Sequence, residues 1–210
     1  MILRRKVLIA ALSVGSSTGC SLFPSQPTPQ IYRLSPQSPS TADPPNRRAL
    51  RRQLVIDIPT ASESLDTDRI ALVRGRTKFD YYANSLWTDR VPVLVQTLLV
   101  EAFEGDGSIA QVGRDAQDLT PDYLLATEVR RFEAVYDDGA DHPPTAVVAL
   151  GLGLVKMPNH RMRARTLVVE RSPSSSNNVE SVVEAFDVAV GKILWQCVAW
   201  TTGAIRKAGE

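Results

Sequence analysis

Few residues in this chain are equipped for covalent chemistry, and Cys20 is the best placed of them. It follows Arg4, Arg5 and Lys6, a short apolar run from Val7 to Gly15, and the small residues Ser16, Ser17, Thr18 and Gly19. A basic segment, an apolar segment and small residues before a cut form the pattern of an export signal. A cysteine at the cut adds a sulfur nucleophile that can take up a diacylglycerol, as in a bacterial lipobox. Ser17 stands three before the cysteine, where leucine is usual. The competing reading is a plain signal peptide cleaved nearby. Cys197, in contrast, falls on an apolar helical stripe and reads as a small core residue, with a redox thiol as the alternative.

The other chemistry-bearing types lack partners at a telling spacing. No His-Glu-x-x-His, Gly-x-Ser-x-Gly or phosphate loop is present, so no catalytic or cofactor-binding residue is assigned. Gly151-Leu-Gly153 lacks the third glycine of a dinucleotide fingerprint and sits within an alternating strand. Asp137, Asp138 and Asp141 surround Gly139 but have no closing glutamate, so they read as a hairpin turn rather than a calcium loop. His142 and His160 read as surface histidines, and no metal site is expected. Two features suit binding. Arg161, Arg163 and Arg165 alternate, which places them on one face of a strand, where they contact a phosphate or an acidic partner or simply face solvent. Gly151 and Gly153 share the other face of their strand from Leu152. They leave room for another chain or a lipid tail, or for a helix of the same domain. Trp195 and Trp200 are candidate interface anchors, with core or boundary packing as the alternative.

Composition narrows the function further. The 210 residues are 43% hydrophobic and 22% charged, a balance for one globular domain and against wholesale disorder. Lys plus Arg number 24 and Asp plus Glu 23, with 6% aromatics, which argues against nucleic acid as a partner. No apolar run reaches the length of an ordinary membrane-spanning helix. Loss of residues 1–19 removes Arg4, Arg5 and Lys6 and takes the formal charge from +1 to −2.

These candidates need elements to hold them. Residues 20–46 form a tether from Cys20, with seven of the fourteen prolines, interrupted by Ile31-Tyr32-Arg33-Leu34, which reads as a short docked edge strand. Arg47, Arg48, Arg51 and Arg52 close it and suit anionic headgroups or solvent. The domain follows, residues 47–210. Strands are expected at Gln53–Ile58 (Leu54, Ile56 and Ile58 on one face), Ile70–Arg74, Thr77–Tyr82 and Ile109–Val112. Longer ones are expected at Asp122–Tyr136, Ala146–Val155 and Arg161–Arg171. In Asp122–Tyr136 the apolar phase slips between Val129 and Phe132, which calls for a bulge near Arg130–Arg131. One helix carries Val91, Leu94, Val95, Leu98, Leu99 and Ala102, capped by Thr88 or Asp89 and stopped at Gly105 and Gly107. A second, capped by Asn177 or Asn178, carries a stripe from Val179 through Phe186 to Val198. Three consecutive long strands with short turns predict an α+β fold of two layers, a mostly antiparallel sheet packed on one face by two helices.

With Cys20-Ser21-Leu22, the proline-rich tether, Tyr32-Arg33-Leu34, the strand Leu54–Ile58, Asn84-Ser85-Leu86-Trp87 before a helix, Asp122-Tyr123-Leu124-Leu125 and a long C-terminal amphipathic helix, the sequence resembles the ABC-type transport auxiliary lipoproteins. It departs from them in placing its proline, Pro92, five residues after the tryptophan. The resemblance implies a non-enzymatic lipoprotein of the Gram-negative outer membrane, acylated (palmitate being one such chain) and facing the periplasm. It implies a periplasmic MCE-type protein, an inner-membrane permease and an ATPase as partners, with phospholipid traffic as the process. It also implies that Trp87 packs the first helix to the sheet. A homo-oligomer is compatible with this role. Another outer-membrane assembly or structural envelope lipoprotein is the alternative.

Overall fold

One strand organises the sheet. In the computed structural model, which describes residues 28–36, 49–75, 77–114 and 121–208, strand β7 (Tyr123–Tyr136) has a neighbour along nearly its whole length on both edges. One edge pairs antiparallel with β8 (Thr145–Lys156), and β8 pairs antiparallel with β9 (Arg161–Pro173). The other edge is shared end to end by three short strands, all parallel to β7: β2 (Leu50–Ile56), β3 (Thr60–Ala61) and β4 (Arg69–Arg74). The sheet continues from β4 to antiparallel β5 (Lys78–Trp87) and parallel β1 (Gln30–Tyr32), and from β2 to parallel β6 (Ile109–Gly113). Helices α1 (Val91–Asp106) and α2 (Val179–Ala208) pack on one face. The class is α+β in two layers, as expected. The three long strands are antiparallel, as their short turns require. The sheet as a whole is mixed, because β2, β3 and β4 reach β7 through long connections that leave their direction free.

The slip of phase in β7 is a bulge. Register passes from Val129 opposite Leu150 to Arg131 opposite Ala149, so Arg130 has no partner on β8. That one extra residue returns Phe132, Ala134 and Tyr136 to the face already occupied by Tyr123, Leu125, Thr127 and Val129, and all seven are buried. Strand β2 stops earlier than its alternation suggests. The Asp57 N–H turns to the Leu125 carbonyl at 3.2 Å, and the Asp57 carboxylate accepts the Ile58 N–H at 2.9 Å. Ile58, expected beside Leu54 and Ile56, is therefore 58% exposed. Strand β5 runs on past Tyr82 through a wide irregularity. Leu86 pairs with Arg69 and Tyr81 with Ala71, so Tyr82–Ser85 bow out, with Asn84 at φ 52°. Asparagine is among the non-glycine residues that tolerate this left-handed region best. β1 docks beside that irregularity, opposite Ser85–Trp87.

The helix side holds a dense aromatic centre. Trp87, Phe132 and Phe186 are each at most 2% exposed. The indole meets Phe186 edge-on at 5.3 Å and Phe132 edge-on at 5.9 Å, and the two phenylalanines stack at 5.1 Å. The aromatic partner that Trp87 gains from the helices is thus on α2, not on the first helix. The amphipathic spacing of α1 buries Leu94, Val95, Leu98 and Leu99 as expected, and Gly107 ends the helix in the left-handed conformation at φ 67°. Its N-terminus is not capped by Thr88 or Asp89. Arg90 takes the cap position with no side-chain bond, and the Val91 N–H is satisfied by the Thr67 carbonyl at 3.1 Å. Asn178 caps α2 by accepting the Ser181 N–H at 2.8 Å.

The expected docked strand in the tether is present and continues as a strap. The Tyr32 hydroxyl donates to Glu180 at 3.0 Å, Leu34 is buried, and the Ser35 N–H donates to the Asp187 carboxylate at 2.8 Å. Burial raises the carboxyl pKa of Asp187 above its ordinary value, an effect the Ser35 N–H opposes and nearby Glu184 reinforces.

Candidate functional site

The chemistry-bearing residues do not converge. Cys20, with the signal segment and most of the tether, lies outside the described residues. Cys197 is fully buried on α2, and burial pushes its thiol up to about 12, the environment of an inert packing residue. His142 and His160 are exposed, and Asp137 pairs with Arg171 at 3.0 Å. Among the described residues, no group of three or more His, Cys, Asp or Glu side chains is placed to hold a metal ion. No described helix is long and apolar enough to cross a membrane.

Two surface grooves take in two of the three arginines, Arg165 in one and Arg163 in the other, while the exposed Arg161 lines neither. Strand β9 carries a bulge of its own: Ala164 faces Leu154 while Met162 faces Val155, which leaves Arg163 without a partner on β8. The extra residue breaks the alternation, so Arg161, Arg163 and Arg165 do not form one row. Arg165 lies opposite Gly153 on the sheet face away from the helices. There it lines a groove of about 440 Å³ with Ile58, Gly151, Met162 and Leu167. The glycines have a local explanation. A Cβ at Gly151 would lie 3.3 Å from the Arg130 guanidinium and the Glu128 carboxylate, and one at Gly153 would lie 3.2 Å from the Met162 methyl. Side chains of the flanking strands therefore lie over the glycines, and no helix among the described residues packs there.

The second groove, about 650 Å³, lies between the start of β9 and the end of α2. Ala164 and the small side of α2 (Ala199, Gly203, Ala204) form its floor, and Trp200, Arg163 and Lys207 line it. Trp200 is half-buried here, while Trp195 is 53% exposed elsewhere on the same helix. Sequence reading weighed Trp200 and Arg163 separately. It had no signal that the bulge would turn Arg163 toward α2, because a bulge on an edge strand leaves little trace where both faces carry polar residues.

The outer sheet face also carries a buried charge that was not anticipated. Glu133 is 6% exposed, pairs with Arg131 at 2.5 Å and accepts the Phe132 N–H at 2.8 Å. Its partners identify it as a structural ion pair beside the β7 bulge.

Comparison with known proteins agrees with the fold. A crystal structure of a Xanthomonas campestris protein superposes with a TM-score of 0.78 at 27% identity, covering 86% of this chain and 98% of that one. A second crystal structure, of an uncharacterised protein, shares the fold at a TM-score of 0.62 and 13% identity, covering 82% of this chain and 98% of that one. An uncharacterised protein of Bradyrhizobium diazoefficiens is 32% identical over 165 residues, which are 77% of this chain but only 42% of that relative's length. The family model for the ABC-type transport auxiliary lipoprotein component matches residues 32–197, from the β1 strap to Cys197 on α2. The chain belongs to the family of ABC-type transport auxiliary lipoprotein components.

Proposed function

We propose that this chain is acylated at Cys20, held on the periplasmic face of the outer membrane, and serves as the non-catalytic docking subunit of an MCE-type ABC transport system that moves phospholipid. Residues 1–19 would be the signal peptide and residues 20–46 the lipidated tether. The observation that carries the reading is the family match over residues 32–197 directly downstream of a lipobox-like cysteine. The scatter of the titratable groups supports a binding rather than a catalytic part. Ser21, rather than aspartate, follows the cysteine, which in bacteria that sort by this position permits delivery to the outer membrane. A diacylglycerol with an amide-linked chain buries many methylenes at ~0.8 kcal/mol each, ample for a stable anchor.

Two experiments test it. Cys20→Ala is expected to move the protein from the membrane pellet to the soluble periplasmic fraction; a variant that still sediments with outer membranes refutes the anchor. Affinity capture of the intact lipoprotein from detergent-solubilised envelope is expected to recover the MCE component. Recovery of only assembly or cell-wall proteins refutes the docking role.

A further inference from the structure

Charge is sorted along the length of α2. At its C-terminal end the structure gathers the starts of β2, β7 and β9. The Met157 N–H donates to the Asp122 carbonyl at 2.9 Å, and the Leu50 N–H to the Ser108 carbonyl at 2.8 Å. The Ser108 and Thr202 hydroxyls lie 3.1 Å apart. Arg52, Lys156, Arg161, Arg163, Arg206 and Lys207 stand at this end, five of them exposed and Lys156 partly so. Its acids are Asp122, which pairs with Arg52 at 3.9 Å, and Glu104 and Asp106 at the end of α1. Among the described residues, the other five cations have no carboxylate within ion-pairing distance. Arg206 and Lys207 also offset the negative end of the α2 dipole. Lys156, Arg161 and Arg163 have no such local role. The groove beneath Trp200 opens among these cations. The opposite end carries Asp137, Asp138 and Asp141 in the β7–β8 turn, Glu180 in the first turn of α2, and Asp80; its cations are Arg171, paired with Asp137, Arg74, paired with Asp80, and Lys78, so acids are in excess there.

The path of the chain orients these two ends. β1 is parallel to β5, which returns from the β4–β5 turn near Tyr136, so β1 runs from the acidic end toward the basic end. Tyr32 touches Glu180, at the acidic end. The chain that precedes Gln30 therefore enters the domain from the acidic side, over the ten residues, at most ~35 Å, that separate it from Cys20. An acyl group on Cys20 would thus pull on the domain from its acidic side, away from the Trp200 groove.

We propose that this basic end, centred on the Trp200 groove, is the surface that docks the MCE component, and that the docked surface is an acidic patch presenting an apolar side chain to the groove. The proposal depends on the docking role and the Cys20 anchor argued above. The cations speed and orient encounter, and the aromatic groove between them supplies the desolvated contact that slows release. A membrane surface is disfavoured as the occupant, because the chain leading from the proposed anchor enters the domain from the other side.

The test is binding of the full-length lipoprotein, in detergent, to the purified MCE component. Arg163→Glu combined with Lys207→Glu is expected to weaken binding at least tenfold at low salt, and Trp200→Ala severalfold. Asp137→Lys with Asp138→Lys, at the acidic end, is expected to stay within twofold. Circular dichroism melts show whether each variant folds. Should the double glutamate variant fold and bind like wild type, the surface is wrong while the docking role stands. Should the wild type not bind at all, the docking role fails and takes this surface with it. The Cys20→Ala protein is also mixed with phosphatidylglycerol vesicles. Sedimentation that depends on Arg163 and Lys207 would reassign the end to anionic lipid and overturn the proposal; no sedimentation is expected.

Discussion

The two faces of this sheet are stabilised by different physics. On the helix side, alternate residues of β7 and β8 meet α1 and α2, and the Trp87–Phe132–Phe186 cluster removes three large rings from water. On the other side no helix among the described residues covers the strands. Val147 and Ala149 are buried there by neighbouring side chains, Leu167 and Val169 remain about half exposed, and the Arg131–Glu133 pair sits beside the bulge. Burial of apolar area dominates the first face. The second is held by backbone pairing, small residues and ion pairs, whose net contributions are smaller. The contrast locates where a substitution costs most: in the aromatic centre rather than on the open face.

Substitutions sharpen that contrast. Phe186→Ala is expected to have the largest effect, a loss of about 3–5 kcal/mol, because it empties the stacked centre. Urea unfolding followed by circular dichroism measures it, and a loss below about 1 kcal/mol would break the contrast. Arg131→Met comes next, at about 1–3 kcal/mol, since it leaves the buried Glu133 carboxylate with a single N–H partner. Glu133→Gln in the same background should recover part of that loss. Leu167→Ser on the open face is expected to change stability by about 0.5 kcal/mol or less. If it rivals Phe186→Ala, the outer face is a second core.

Much of this was legible in the residues. The bulge in β7 follows from its own phase slip, because burial on one face punishes a one-residue error in every side chain beyond it. The two helices follow from apolar spacing, and the docked strand from an apolar island among prolines. What escaped was set by tertiary partners. Nothing local in Leu54 or Leu72 says that β2 and β4 lie parallel to the same strand, and Ile58 keeps an apolar side chain after its strand has ended. The bulge at Arg163 escaped because Arg161, Arg163 and Arg165 alternate whether or not the backbone does. The candidate site suffered most from this: its residues come from a strand start and a helix end that the sequence separates by some forty positions, and only the fold brings Arg163 to Lys207.

The β1 strap has a mechanical consequence. With Cys20 acylated as proposed, tension between the bilayer and the globular part would enter through the segment preceding Gln30, and would reach the backbone links of Tyr32 to Thr88 and Ser85–Trp87 before it reached β2. Only three residue pairs hold this edge strand, and a pull along its axis loads them together. The Ser35–Asp187 contact is next in line. Release of these contacts alone would lengthen the leash by the strap while the rest of the domain kept its fold.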